Sequence, residues 1–392
     1  MYKVSFMYKV FISFVYDKMY LLPSIEGGVK GRVFFFLSLF FFFPIALSAQ
    51  EFGRITLLFA GDLMQHQGQI DAARQSDGTY DYTPCFQYVK DEVSRADVAI
   101  ANLEVTLAGR PYRGYPQFSA PDAYAQAIKE AGFDVLLTAN NHCLDRGKRG
   151  LERTIHMLDS LQIPYAGTYI DKNARESLYP LIIRKNGFRI ALLSYTYATN
   201  GIQVKEPNVV NYIDKEQILK DVAKARELKA DVIIACMHWG VEYRLLPEHQ
   251  ERQMADWLIA NGVDHVIGGH PHVLQPMEVR PDEYTAARHL VVYSLGNYIS
   301  NMSAPNTDGG AMVKLELKRI GHITALADCS YSLVWTSRPT LREGAGNYLL
   351  YPAANPPSTL NDAEQSRLDR FLQSARNLFK KNNIGIEEYF FK

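Results

Sequence analysis

The sequence predicts an α/β protein in which a layered parallel core carries an antiparallel addition. Three observations predict it. From residue 55 onward short, continuous apolar runs alternate with amphipathic stretches, the pattern of parallel strands covered by helices on both faces. Asn186-Gly187 sits between two apolar runs and supplies the positive φ angles of a tight type I′ hairpin turn. Three further strand-like runs, 289–294, 311–318 and 322–335, succeed one another without helices between them.

In chain order, strands are expected at Ile55–Ala60, Val98–Ala101, Val135–Leu137, Val232–Cys236 and His265–Ile267. Helical periodicity covers Phe86–Ser94, Ala123–Ala131, Gly150–Leu161, Lys215–Leu228 and Glu248–Ala260. Tyr179–Arg184 and Arg189–Tyr195 are the hairpin arms. Asn355-Pro356-Pro357 marks a boundary, after which Asn361–Lys381 forms a charged amphipathic helix.

The first fifty residues are different in kind. Residues 33–46, VFFFLSLFFFFPIA, come after Lys30 and Arg32 and precede the small residues Ala46, Ser48 and Ala49. A spanning helix needs roughly twenty apolar residues, so this shorter run reads as a secretory signal peptide cleaved after Ala49. An uncleaved anchor is the alternative, and Met7 or Met19 is an alternative start. The expected organisation is a leader over 1–49, a main domain over 50–300, and strands and a helix over 301–392 packing on that domain. The protein is expected to be exported, with any membrane attachment made through its N-terminal segment alone.

Composition excludes several classes. The chain has 392 residues, 47% hydrophobic, with 42 basic and 42 acidic side chains. That is neither a disordered chain nor a small disulfide scaffold, and a balanced charge argues against binding polyanions by bulk attraction. The basic stretches Arg146-Gly147-Lys148-Arg149 and Lys380-Lys381 are too short for a nucleic-acid footprint, so no nucleic-acid partner is expected. Export permits disulfides, but Cys85, Cys143, Cys236 and Cys329 are widely spaced, and Cys236 lies in an apolar run.

Function is carried by the residues just past the strands. In an open α/β sheet ligands bind beyond the carboxyl ends of the strands. Five strand ends run into potential metal ligands: Gly61-Asp62, Leu103-Glu104, Asn140-Asn141-His142, His238-Trp239-Gly240 and His270-Pro271-His272. Each alone has an ordinary reading, as a turn, a helix cap or a structural histidine. Two carboxylates, an amide oxygen and several imidazoles at equivalent ends of one parallel sheet must converge, and that donor set suits Zn, Mn or Fe. One or two divalent ions are therefore expected.

The series GDLM, ANLE, ANNHCLDRG, MHWGVEY, GGHPHVLQP and YSLGNY resembles the CapA family of poly-γ-glutamate capsule synthesis proteins, itself similar to the calcineurin-like metallophosphoesterases. The resemblance covers about residues 55 to 300 and implies a four-layer α/β/β/α sandwich. It further implies that Asp62 and His272 bind one ion and that Glu104 bridges. Asn141, His238 and His270 would bind the second ion, and His142 would act on substrate as acid or electrostatic stabiliser. Asp145, three residues on, would orient that imidazole or cap a helix. Met64 stands where the phosphoesterases carry a histidine ligand, and His66 is the expected substitute if a helical turn comes next. Glu242 reads as a substrate-binding residue, a partner behind the ligands, a general base, or a surface or structural group. Tyr293 and Asn297, with Ser294, are expected to line the substrate cleft. His156, His249, His265, His289 and His322 have no motif around them.

Two functions fit this reading. One is a metal-dependent hydrolase cutting an amide or phosphoester in a cell-envelope polymer. The other is a non-catalytic, metal-binding component of the capsule synthesis machinery that binds or exports an anionic chain.

Overall fold

The computed structural model describes residues 51–391 apart from 283, 284, 286, 322 and 345. The leader expected over 1–49 and His322 lie outside the described residues.

The chain begins with Glu51–Leu63 (β1), Gln67–Ala73 (α1), Thr83–Phe86 (α2), Lys90–Arg95 (α3) and Val98–Leu103 (β2). Asp122–Glu130 (α4), Val135–Leu137 (β3), Gly147–Ser160 (α5), Tyr165–Ala166 (β4), Thr168–Tyr169 (β5) and Lys172–Leu178 (α6) come after these. Next are Leu181–Lys185 (β6), Phe188–Thr196 (β7), Val209–Val210 (β8), Lys215–Glu227 (α7), Val232–His238 (β9), His249–Ala260 (α8) and His265–Gly269 (β10). The last third holds Met277–Pro281 (β11), Arg288–Val292 (β12), Asn297–Ile299 (β13), Gly309–Ile320 (β14), Ile323–Ser337 (β15), Leu349–Pro352 (β16), Asp362–Asn382 (α9) and Glu387–Glu388 (β17).

These strands make two main sheets. The larger runs β16-β15-β14-β1-β2-β3-β4, with β13 beside β1 and β17 beside β15. The smaller runs β11-β12-β10-β9-β7-β6. Each has a parallel heart: β1 to β4 in the first, and β7, β9, β10 and β12 in the second. Antiparallel strands flank both, which makes the fold mixed α/β, as the sequence predicts.

Continuous apolar runs explain the parallel strands. Ile55, Leu57, Leu58 and Phe59 of β1 are all buried, as are all of Val232–His238, so both faces are covered and no polar alternation is tolerated. The hairpin forms as its turn demands, with Asn186 and Gly187 both at positive φ (50° and 80°) and Lys185 opposite Phe188. Strand β14 pairs with β1 along its length, from Glu51 opposite Ile320 to Ala60 opposite Met312. Residues beyond 302 are thus built into the larger sheet, and Phe371 and Phe379 of α9 join the buried core.

One local expectation needs correction. Phe86–Ser94 is two short helices, α2 and α3, because Pro84 starts the first and Val89 is buried between them while Tyr88 packs on Tyr351. The four cysteines are free and buried, Cys236 within the apolar run of β9 as expected.

Candidate metal centre

Parallel strands in register deliver the polar residues to one place. At the end of β1, Asp62 lies opposite Asn102 of β2 on one side and Asn297 of β13 on the other. In the second sheet His238 lies between Gly269 of β10 and Thr196 of β7. The two sheets meet through these ends. Asn102 Nδ2 donates to Asp62 Oδ1 (2.7 Å) and lies 3.3 Å from His238 Nδ1, while the His270 amide lies 3.4 Å from Asp62 Oδ2. Gly269 permits the approach, since a Cβ there would come within 3.1 Å of the Asp62 carboxylate.

The donor atoms face one another. Glu104 Oε1 lies 3.6 Å from His238 Nε2 and 3.9 Å from His272 Nε2, and Asp62 Oδ2 lies 3.7 Å from His272 Nδ1. Donors sharing one ion at about 2.1 Å stand about 3–4 Å apart, so the two Nε2 spacings are those of ligands around a common centre, while His272 Nδ1 is engaged by Asn297. Glu104–His238–His270 and Asp62–Glu104–His272 both gather within 4.8 Å, as does a third set, Glu242–His270–His272. Asn141 Oδ1 adds an oxygen 2.7 Å from His238 Nε2, its amide held by Asn200 Oδ1 at 3.1 Å.

Chemistry of the donor set agrees. Both oxygens of Glu104 and Nδ1 of His270 are buried without a hydrogen-bond partner. Native interiors rarely leave such atoms bare, and an ion is one of the accepted explanations. Burial, with Asp62 alongside, pushes the Glu104 carboxyl well above the usual range. Burial raises Asp62 to about 6, although the Asn102 amide pulls the other way. The same desolvation holds His238 well below the ordinary imidazole value, His270 at about 4 and His272 at about 3. The rings are therefore neutral and keep a lone pair for a ligand bond. The residues fit a divalent ion.

Beside the cluster, His142 Nδ1 contacts Asp145 Oδ2 at 2.8 Å, and the same oxygen accepts the Phe118 amide at 2.8 Å. Asp145 therefore orients the imidazole and fixes its tautomer. The cap of α5 is the next residue, Arg146, which caps without a side-chain bond. His142 and Asp145 line an open cavity of about 460 Å³ with Tyr115, Gln117, Asn141, Asn200 and Glu242.

Asp62, Glu104, Asn141, His142, Asp145, His238, His270 and His272 are thus brought together, with exposed Glu242 at the rim. Asn297 lies behind the cluster: its Oδ1 is 3.0 Å from His272 Nδ1, and its amide donates to the Thr307 carbonyl. Tyr293 is turned away, buried, with its hydroxyl accepting from Arg280 Nη2 at 2.6 Å. His66, the expected substitute for the ligand missing at Met64, is not in the groups of described residues that gather within 4.8 Å. A helix does begin there, but His66 is its N-cap, packed edge-on to Phe118 and close to Gln69 Oε1 (3.3 Å). Sequence reasoning missed Asn102, Asn200 and the tyrosines tilted against two of the histidines, Tyr197 by His270 (4.5 Å) and Tyr243 by His272 (6.3 Å). The end of β7, YTYATN, carried that signal as one more strand end opening on the cleft.

A mixed α/β protein with a strand-end cluster of carboxylates and neutral imidazoles belongs among those equipped to hold divalent metal. Comparison with known proteins narrows the class: residues 56–302 match the bacterial capsule synthesis protein PGA_cap family, and the chain belongs to it. It is 29% identical over 291 residues to the capsule biosynthesis protein CapA of Bacillus anthracis, covering 71% of this chain and 67% of that one. It is 28% identical over 274 residues to the PGA biosynthesis protein CapA of Bacillus subtilis, covering 67% and 68%. Similar solved structures include the NAD nucleotidase of Haemophilus influenzae (TM-score 0.44, 13% identity, 86% of this chain and 57% of that one). The calcineurin-like phosphoesterase YfkN of Bacillus subtilis is another (TM-score 0.43, 13% identity, 84% and 99%).

Proposed function

We propose that this chain is an exported metal-dependent hydrolase that cuts an amide or phosphoester bond in a cell-envelope polymer of the poly-γ-glutamate type. The observation that carries the reading is the bare Glu104 carboxylate among neutral imidazoles, placed next to a carboxylate-oriented histidine that opens on a cavity. Membership of the capsule synthesis family supports the polymer as substrate class, and the apolar run at 33–46 supports export.

Asp62, Glu104, Asn141, His238, His270 and His272 would hold one or two ions, which supply an ionised water near neutral pH and polarise the scissile group. The protein's own part is positional. Asp145 holds the Nδ1–H of His142 and would stabilise the ring as an imidazolium, whose second proton, on Nε2, would then go to the leaving group as acid or hydrogen-bond donor. Asn200 holds the Asn141 amide so that its oxygen faces His238. Asn297 fixes His272 in the same way.

His142→Ala tests this directly. Metal content is expected to stay unchanged while turnover of γ-glutamyl peptides or phosphoesters falls about 10²–10⁴-fold. A wild-type protein that is metal-loaded yet inactive on both substrate panels, but retains the polymer, would favour the non-catalytic binding component instead.

A further inference from the structure

The carboxylates and imidazoles at the heart of the cluster are buried, whereas Glu242 is exposed. It lies on the segment that leaves β9 after His238. That segment is folded back over the His270–His272 turn: the Tyr243 amide donates to the Pro271 carbonyl at 2.9 Å, and Gln275 Nε2 donates to the Arg244 carbonyl at 2.8 Å. Tyr243 takes a positive φ of 65° to make the bend. The result places a Glu242 carboxylate oxygen within 4.8 Å of a ring nitrogen of both His270 and His272.

A second observation points at an ion there. His270 is 2% exposed, and its Nδ1 is buried without a partner. His270 and His272 themselves adopt positive φ (100° and 59°), a conformation that non-glycine residues rarely take and that gathers where function needs it. The outer side of the cluster also lacks the ligands the first motif would supply: Met64 is buried in the core and His66 is turned to Phe118.

We infer that Glu242 is itself a metal ligand, closing the outer side of the cluster over His270 and His272 and governing whether a second divalent transition ion is held. This rests on the reading of the cluster as a metal centre. Donors on one ion stand about 3–4 Å apart, and the Glu242 oxygen lies within 4.8 Å of both rings without any rearrangement of the core. An exposed side chain can engage or release an ion there by rotation alone. The outer ion is accordingly the exchangeable one, and the inner position, enclosed by Glu104 and His238, is the retained one.

The test is titration of the purified, chelator-stripped protein with Zn²⁺ and Co²⁺, read by metal content and calorimetry, for wild type, Glu242→Gln, Glu242→Cys and His238→Ala. Wild type is expected to take up two equivalents. Glu242→Gln should keep one and bind the second on the order of tenfold or more weakly, whereas His238→Ala should lose the tighter one. Glu242→Cys with Co²⁺ should show thiolate-to-cobalt charge-transfer absorption, direct proof of ligation at that position. Equal uptake by wild type and Glu242→Gln, with no charge-transfer band from Glu242→Cys, overturns the assignment and leaves the metal reading intact. A wild type that takes up neither ion overturns both.

Discussion

Replacing Glu104 by Gln is expected to abolish high-affinity metal binding, with a loss on the order of 10²-fold or more, while leaving the metal-free protein as stable as the wild type or more so. Glu104 is fully buried, and neither carboxylate oxygen has a partner, so ionising it without a cation is costly. Its folded pKa is raised above the ordinary value of 4.5, so its contribution to stability is greatest below that value and is lost as pH rises through the folded pKa. Asp62 behaves alike: raised from 3.8 to about 6, it costs the metal-free fold about 3 kcal/mol at pH 7. Metal-free wild type should therefore lose stability as pH rises from about 4 through 6, and Glu104→Gln should flatten the curve above that. Metal affinity runs the other way, rising through about pH 6 as Asp62 ionises, with protons released on binding. Thermal melts across pH, with and without metal, read both arms. Unchanged metal affinity in the variant would remove Glu104 from the centre.

The other large effect is structural. Protein ending at residue 302, where the family match ends, is expected to be recovered only as aggregate, in contrast to protein running to residue 392. Cutting there removes β14 and β15, and β14 is the antiparallel partner of β1 from Glu51 to Ala60. Strand β1 would become a long apolar edge, the geometry that templates intermolecular pairing. The cut also strips buried Met312, Val313, Leu315, Leu317, Leu333, Val334 and Trp335 from the core. At about 1.5–3 kcal/mol for each large apolar side chain, their loss equals or exceeds the roughly 5–15 kcal/mol that holds a domain together. A soluble, cooperatively melting 50–302 fragment would show that the parallel half folds alone. The site would also suffer, since Asn297 behind His272 is held by the Thr307 carbonyl.

The parallel hearts of both sheets were legible because strands buried on two faces write unbroken apolar runs, as ITLLFA and VIIACM do. The site was legible for a linked reason: where such a run stops at Asp62 or His238, the next polar residue must stand at a strand end. What was hidden depends on partners distant in sequence. The two-residue strands β4, β5, β8 and β17 have no periodicity to detect. Helices α2 and α3 are divided by packing of Tyr88 and Val89 that no local propensity records. Asn102 looked like the last residue of a strand, and only its register beside Asp62 turns it into the amide that bonds one sheet's carboxylate and reaches the other sheet's histidine. Tyr293 erred in the opposite direction. It comes after a strand as the ligands do, but Arg280 and Trp239 claim it from behind, its hydroxyl bonded to the first and its carbonyl to the second.

That last contact has an optical consequence. Trp239 sits directly after His238, is buried, and has its indole N–H fixed on the Tyr293 carbonyl at 3.0 Å. The chain's other two tryptophans are placed differently, Trp257 beneath Lys215 on α8 and Trp335 stacked on Tyr351 in the larger sheet. A rigid indole one residue from a candidate ligand would make fluorescence a gauge of occupancy. Paramagnetic Mn²⁺, Fe²⁺ or Co²⁺ should quench its emission, whereas Zn²⁺ should only shift it, so loading can be tracked in an unlabelled protein and the kind of ion told apart in the cuvette.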